Sequence, residues 1–306
     1  MDSNYLLGNK YRIRRYFLFG LTGLLAFFFL RFFVLPYLAN TPLLNPTEIA
    51  VVTIDNIIVA IIVVLSTTAF ILFITPPSTR KPEVSVVESG NLKYALEEEL
   101  KDTKEFWYRG HTARWSRSVT FSKLAKSARK DKRTIRIFLI ILDPNSDAVC
   151  ESYANFQNKF GQSKNNIEPL KHEIRLELLA TILSAYAWAN KEPLLKISIG
   201  LWDKLSLFRV DLSDSAAIIT KPDIDEPALS FPAGTRFFMS FREDLQVSYS
   251  QSRVLPEKKS NIRFGNLSPK NLKQFFANIG IRCNDINDNS LRKIIEMSEK
   301  PETPYK

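Results

Sequence analysis

Cysteine, histidine and glycine are all scarce in this chain of 306 residues. The two cysteines, Cys150 and Cys283, lie far apart without a CxxC partner, which excludes a disulfide framework and a zinc site. Only two histidines occur, His111 and His172, so metal chemistry based on clustered imidazoles is excluded as well. The ten glycines form no phosphate-binding loop, and there is no GxSxG motif. We therefore expect no metal, no cofactor and no active hydrolase.

Long apolar runs are confined to the first quarter of the chain. Residues 16–38 and 49–74 are each long enough to cross a bilayer, which needs about 20 residues. The segment 39–48 between them contains two prolines and no cation, whereas cations flank both outer ends. A cleaved signal peptide fits less well, because a second apolar run follows the first. The pattern predicts a two-helix transmembrane hairpin over residues 1–81, in a bacterial inner membrane, with both termini in the cytoplasm.

Two charged residues interrupt these apolar runs at matching depths. Arg31 lies seven residues before the end of the first run, and Asp55 lies six residues after the start of the second. A lone charge at that depth costs at least a few kcal/mol, so we expect the two to pair, with Asn56 as a polar neighbour. The pair either fixes the register of the hairpin or controls its assembly in a homo-oligomer, and the sequence leaves both interpretations open.

Beyond residue 81 the sequence is typical of a mixed α/β domain, residues 82–256, followed by a small helical subdomain, residues 257–306. The apolar run 135–144 predicts a buried strand, and the leucine and isoleucine spacing of 167–190 predicts a long helix. Further strands are predicted at 194–202, 207–214, 215–220, 235–241 and 245–253, and further helices at 269–279 and 289–299.

One segment carries nearly all of the net charge of +10. Between Lys101 and Arg136 there are 12 basic and 3 acidic residues, a net charge of +9. Arginines alternate there with tryptophan and tyrosine, a combination suited to phosphate contacts beside stacking surfaces. Binding to anionic lipid and a plain solvated surface are the alternatives. The candidate phosphate-binding residues are Arg109, His111, Arg114, Arg117 and, from a later strand, Arg209.

Two stretches resemble the phospholipase D-like fold. They are the basic, aromatic segment that leads into IRIFLIILDP and the later stretch FRVDLSDSAAIIT. On that family's HxK-x4-D motif, Arg209 takes the lysine position and Asp214 the aspartate position, but Leu207 stands at the histidine position. In the first half, Ala113 stands where a lysine should follow His111. The resemblance implies a phosphate-binding relative without catalytic activity.

The layout as a whole resembles the two-transmembrane effectors of bacterial anti-phage defence systems, of the retron or cyclic-nucleotide type. The resemblance implies that the cytoplasmic domain senses a nucleotide or nucleic acid and that the oligomerised hairpin then disrupts the membrane, causing abortive infection. It also implies a lipid bilayer, a homo-oligomer and an inhibitory defence-system protein as partners. A non-toxic membrane sensor or scaffold, and a membrane-tethered degenerate nuclease or lipase, are the alternatives.

Overall fold

The computed structural model describes residues 46–74, 83–159, 166–221, 223, 225–257 and 262–305, with isolated positions between 22 and 33. The chain divides into two compact units, Met1–Arg80 and Lys81–Lys306. The continuous part of the first unit is helix α1, Pro46–Ile74, whose side chains are described over 53–69. Proline suits the first turn of a helix, where its missing N–H is not needed.

The predicted membrane hairpin is contradicted by these helices. Within the residues that the structure describes, none of the helices has both the length and the hydropathy needed to cross a membrane. Where the side chains of α1 are described, Asp55, Asn56 and the run 66–68 (Ser-Thr-Thr) interrupt the apolar sequence. The finding overturns the membrane-anchored fold class, the two-pass topology and the inner-membrane location. Most of the run 16–38, including Arg31, lies outside the described residues, so the Arg31–Asp55 pair does too.

The second unit is built on a sheet whose eight described strands follow the order β1-β7-β6-β5-β2-β3-β4-β8. Strands β2, β3 and β4 are parallel, and the remaining neighbours are antiparallel. The strands are β1 Ser85–Val87, β2 Glu105–Arg109, β3 Ile135–Leu142, β4 Leu195–Trp202, β5 Arg209–Leu212, β6 Ala216–Thr220, β7 Ala228–Pro232 and β8 Arg253–Val254.

Helices cover both faces of this sheet. They are α2 Leu92–Glu98, α3 Phe121–Asp131, α4 Asp147–Lys159, α5 Ile167–Lys191, α6 Arg236–Ser250, α7 Pro269–Asn278 and α8 Asp288–Glu299. Helix α6 packs on one face, over a cluster that includes Trp107, Ile140 and Val210. The larger core lies on the other face, beneath α3, α4, α5, α7 and α8. Burial of β3 from both sides explains why its sequence, IRIFLIIL, is almost wholly apolar.

Most elements predicted from the periodicity are confirmed, including β3, β4, β5, β6, α5, α7 and α8. The strands predicted at 235–241 and 245–253 are wrong, because most of that stretch forms the single helix α6. The hydroxyl of Thr235 accepts a hydrogen bond from the Phe238 backbone N–H (3.2 Å) and caps that helix. Phe238 and Leu245, seven residues apart, then face the sheet together, which helical spacing allows.

Candidate ligand cavity

The five predicted phosphate-binding residues do not form one surface. Arg109 ends β2 with its side chain on the α6 face, where it donates to the Ser248 hydroxyl (2.8 Å) and pairs with Asp244 (2.6 Å). Its guanidinium carbon lies 5.6 Å from the centre of the Trp202 ring. The side chain is therefore occupied by contacts between the sheet and α6.

Arg117 is also used inside the fold. It lies in a π-helical turn, Ser116–Thr120, immediately before α3, and its side chain is almost fully buried. It forms an ion pair with Glu177 and donates to the Glu177 carbonyl (2.9 Å) and the Thr181 hydroxyl (3.2 Å). Burial lowers the pKa of Arg117, while the charge of Glu177 opposes that shift.

The other three residues, His111, Arg114 and Arg209, line one cavity of about 530 Å³ at the carboxyl end of β2. This is the border where the parallel part of the sheet meets antiparallel β5, and open α/β sheets commonly bind ligands outside the carboxyl ends of their strands. The polar and aromatic side chains that line the cavity are Tyr108, His111, Thr112, Arg114, Trp115, Tyr153, Gln157, Glu173, Glu177, Arg209, Asp211, Asp223, Lys293 and Tyr305.

We call the buried end of the cavity its floor, formed by Tyr108, His111, Tyr153 and Asp211, each less than 10% exposed. The His111 ring stacks on Tyr153 with 4.2 Å between ring centres, and its Nε2 donates to the Ser206 carbonyl (2.7 Å). Burial lowers the pKa of His111 to about 4. At neutral pH the ring is therefore uncharged, with its proton on Nε2 and its lone pair on Nδ1.

Asp211 is the acidic group of the floor. It lies opposite Tyr108 in the β2–β5 register, so the two side chains are neighbours on the same face. Burial raises the pKa of Asp211 to about 7, against the lowering effect of Arg209. Burial also raises the pKa of Tyr108 far above its ordinary value, so this phenol stays protonated.

Arg209 lies beside the floor, and two hydrogen bonds fix its guanidinium group. Its Nε donates to the Thr220 hydroxyl (3.0 Å) and one terminal nitrogen donates to the Lys221 carbonyl (3.0 Å). Its guanidinium carbon lies 5.9 Å from the centre of the Tyr305 ring. Burial alone would lower the pKa of Arg209, but its interactions with Tyr305, Tyr108 and Asp211 raise it, so the side chain stays charged.

Gly110 allows the chain to pass close to these groups. A Cβ at this position would lie 2.4 Å from the Tyr108 hydroxyl oxygen and 3.0 Å from Cγ of Arg209. Three residues later, Ala113 has a positive φ of 52°, which turns the chain from β2 towards the π-helical turn. The backbone at Gly110 therefore packs closely against the side chains of Tyr108 and Arg209.

The exposed end of the cavity, which we call its mouth, carries charged side chains. Arg114 is 46% exposed and lies 3.6 Å from Glu177, which Arg117 also pairs with. Lys293 is 52% exposed and lies 3.7 Å from Glu173. Two arginines thus share a single carboxylate at the mouth.

Sequence reasoning missed several residues of this cavity, above all Tyr153, Asp211, Glu177 and Tyr305. A usable signal existed only for Asp211, since the spacing Arg209-x-Asp211 in a strand places both side chains on one face. Tyr153, Glu177 and Tyr305 come from other elements, and no spacing in the sequence links them.

The positions matched to the phospholipase D-like motif are separated in the fold. Leu207, at the histidine position, is 54% exposed. Asp214, at the aspartate position, follows the far end of β5, where it accepts a hydrogen bond from the Lys104 backbone N–H (2.7 Å). Among the described residues, no group of three or more potential metal ligands is placed to hold a metal ion.

Comparison with known proteins gives little further identification. No protein-family description matches the chain, and no curated protein matches it either. Among solved structures, it is similar to TrmBL2, an archaeal chromatin protein described as showing a novel mode of DNA binding. The similarity covers 67% of this chain and 66% of that one, at 12% identity and a TM-score of 0.32. This likeness is too weak to support an argument.

The predicted family is contradicted by these findings. The resemblance to two-transmembrane defence effectors depended on a hairpin, and the described helices provide no membrane span. The bilayer as a partner loses its basis for the same reason. Abortive infection, the homo-oligomer and the inhibitory partner protein stay predictions, and so do the roles of the site residues.

Proposed function

We propose that the Lys81–Lys306 unit binds a small ligand of the nucleotide class, a planar ring that carries a phosphate, in the cavity at the end of β2. The observation that carries this proposal is the contrast between the two ends of the cavity. Its floor consists of buried aromatic and hydrogen-bonding side chains, and its mouth carries exposed cations. The volume of about 530 Å³ is in the usual range for small-molecule sites.

The aromatic side chains supply surfaces for a ring. Tyr153 and His111 are stacked at the floor, and Tyr305 packs edge-on against Trp115 at 5.2 Å between ring centres. Stacking of a base on an aromatic side chain contributes about 1–3 kcal/mol. A planar ring would thus gain both apolar burial and stacking at this end of the cavity.

The cations supply the charge that a phosphate requires. Arg209 stays charged beside the floor, and Arg114 together with Arg117 exceeds the single charge of Glu177. Arginine presents several N–H donors in a plane and suits phosphate recognition. The pair Lys293–Glu173 is neutral in sum, and Asp211 and Asp223 also line the cavity, so we assign the phosphate contacts to the individual arginines and not to a net positive charge.

A nucleic-acid strand is a less suitable ligand for this cavity. Strands bind along open basic grooves, whereas two of the predicted basic residues are buried in structural contacts. Four exposed cations of the basic segment lie together on and just beyond α3, at Lys126, Arg129, Lys130 and Lys132. They are separate from the residues that line the cavity.

The test is calorimetric titration of the 306-residue chain with GMP, AMP, inorganic phosphate and a single-stranded RNA, at two salt concentrations. We expect mononucleotide binding that weakens at least tenfold in Arg209→Gln. The matched control is Arg236→Gln, an exposed arginine at the start of α6 on the other side of the sheet. It should bind as the wild type does.

Two outcomes would overturn the proposal. One is the absence of mononucleotide binding in the wild-type protein. The other is RNA binding that is tighter than mononucleotide binding and insensitive to Arg209→Gln, since that result would move the site to the exposed cations of α3. Thermal unfolding of each variant checks that any loss of binding does not come from loss of the fold.

A further inference from the structure

Among the floor residues, Asp211 has a buried side-chain oxygen without a hydrogen-bond partner in the described part of the chain. Its side chain is 8% exposed and lines the cavity. The Oδ1 atom has no hydrogen-bond partner among the residues that the structure describes. A buried carboxylate oxygen without a donor is costly, so its place in a cavity points to a donor on the ligand.

The neighbours of Asp211 define what that donor must be. Arg209 shares its face of β5, but two of its nitrogens already donate to Thr220 and Lys221. Tyr108, directly across the sheet, directs its hydroxyl towards the space beside Gly110. His111 donates through Nε2 to Ser206. The Asp211 side chain lines the cavity beside the stacked rings of His111 and Tyr153, and these neighbours leave its carboxylate as an acceptor.

An ionised carboxylate only accepts hydrogen bonds, through two oxygens side by side. Among nucleic-acid bases, guanine presents two adjacent donors on one edge, its N1–H and its 2-amino group. Adenine and cytosine each present one donor next to an acceptor, and uracil presents one donor between two acceptors. Guanine is therefore the base whose edge matches an aspartate.

We propose that the cavity recognises a guanine nucleotide and that Asp211 accepts the N1–H and 2-amino donors of the base. This inference rests on the nucleotide-binding function proposed above and gives it a specificity. Asp211 is then a specificity-determining residue, whereas the arginines bind the phosphate. The stacked rings of the floor hold the base in the plane of the carboxylate.

The protonation state of Asp211 gives this assignment a test by pH. Its pKa of about 7 in the folded protein means that the carboxylate gains a proton as the pH falls below neutrality. The charged and titratable groups that interact with it are Arg209, Tyr108 and Tyr305. The other titratable residues that line the cavity are His111, Arg114, Tyr153, Glu173, Glu177, Asp223 and Lys293. If the ionised form binds guanine, GMP affinity should fall about tenfold between pH 8 and pH 6.

The experiment compares the binding of GMP, IMP, AMP and XMP to the 306-residue wild-type chain and to its Asp211→Asn variant. Wild type should prefer GMP, and should bind IMP, which lacks the 2-amino group, at least tenfold more weakly. An asparagine offers one acceptor and one donor, so Asp211→Asn should lose GMP binding and gain affinity for XMP, whose edge carries one donor and one acceptor. The matched control is Asp214→Asn, at the far end of β5, which should keep the preference for GMP.

The outcomes separate this inference from the function on which it rests. Equal binding of all four nucleotides, with the loss in Arg209→Gln preserved, would overturn guanine recognition and leave nucleotide binding intact. An equal loss of all four in Asp211→Asn would also overturn it, because a merely structural residue behaves in that way. No binding of any nucleotide to wild type would overturn the proposed function itself.

Discussion

Arg109 and Arg209 lie one position apart across the β2–β5 pair, yet they belong to different parts of the molecule. Arg109 is in register with Val210, the residue after Arg209, so the two arginines leave opposite faces of the sheet. On the α6 face, Arg109 is enclosed by Ser248 and Asp244. On the other face, Arg209 lines the cavity. The comparison shows that the role of an arginine in this strand pair depends on the face of the sheet that its side chain occupies.

The largest effect is expected where a buried arginine holds the wall of the cavity. Arg117→Met should lower the free energy of unfolding by about 3–5 kcal/mol, because Glu177 loses its buried partner and Thr181 loses a donor. Urea unfolding followed by tryptophan fluorescence measures it. A loss below about 1 kcal/mol would mean that the buried contact of Arg117 with Glu177 does not stabilise the wall of the cavity.

The cavity face should also respond to pH, through two groups with opposite signs. The folded protein raises the pKa of Asp211 from 3.8 to about 7, so the stability from its protonated form is present below pH 4 and lost as the pH rises to 7. It lowers the pKa of His111 from 6.5 to about 4, so the stability from the neutral ring is present above pH 6.5 and lost as the pH falls to 4.

Unfolding of the wild type, Asp211→Asn and His111→Gln between pH 4.5 and 7.5 tests this prediction. Relative to wild type, Asp211→Asn should gain stability as the pH rises, and His111→Gln should gain stability as the pH falls. For each variant, the difference from wild type in the free energy of unfolding should change by about 3 kcal/mol between pH 4.5 and 7.5. Curves that run parallel to the wild type for both variants would contradict the buried environment of the floor.

The α6 face should show a smaller effect on stability and none on binding. Arg109→Met should lower the free energy of unfolding by about 2 kcal/mol, since a buried guanidinium loses a hydroxyl partner and Asp244 is half-exposed. GMP titration of the same variant should match wild type. Weakened binding at unchanged stability would place Arg109 in the ligand site and break the comparison between the faces.

The smallest effect on stability is expected at the mouth of the cavity. Arg114→Met removes a half-exposed side chain 3.6 Å from Glu177, so it should lower the free energy of unfolding by less than about 1 kcal/mol. It should nevertheless weaken GMP binding severalfold. Compared with Arg117→Met, it separates two arginines that contact the same carboxylate.

Much of the second unit was predictable from its sequence because the relevant signals are local. The apolar run of β3 and the leucine spacing of α5 correspond to a doubly covered strand and a long buried helix. The helices α7 and α8 begin at Pro269 and Asp288, directly after Ser268 and Asn287, whose side chains cap them. Helix α6 was misread because its aromatic residues alternate over short stretches, and only the contacts of Phe238 and Leu245 with the sheet decide the period.

The candidate site was predictable in part. The segment with a net charge of +9 contains His111 and Arg114, which do line the cavity, but charge alone does not distinguish them from Arg109 and Arg117. The membrane hairpin is a prediction that was wrong. Apolar length, the prolines of the turn and the flanking cations predicted it, and among the described helices that expectation is contradicted.

By itself the sequence determined the periodicity of strands and helices and the position of the basic segment. Only the tertiary structure decided which cations form contacts within the fold and which line a cavity. For Arg109 and Arg209 that depends on the face of the sheet from which each side chain projects. It also decided which residues surround Asp211. Tyr153, Arg209 and Tyr305 are distant in the chain and meet only because α4, β5 and the segment after α8 converge at the end of β2. Local patterns follow from neighbouring residues, whereas a cavity depends on contacts between residues far apart in sequence.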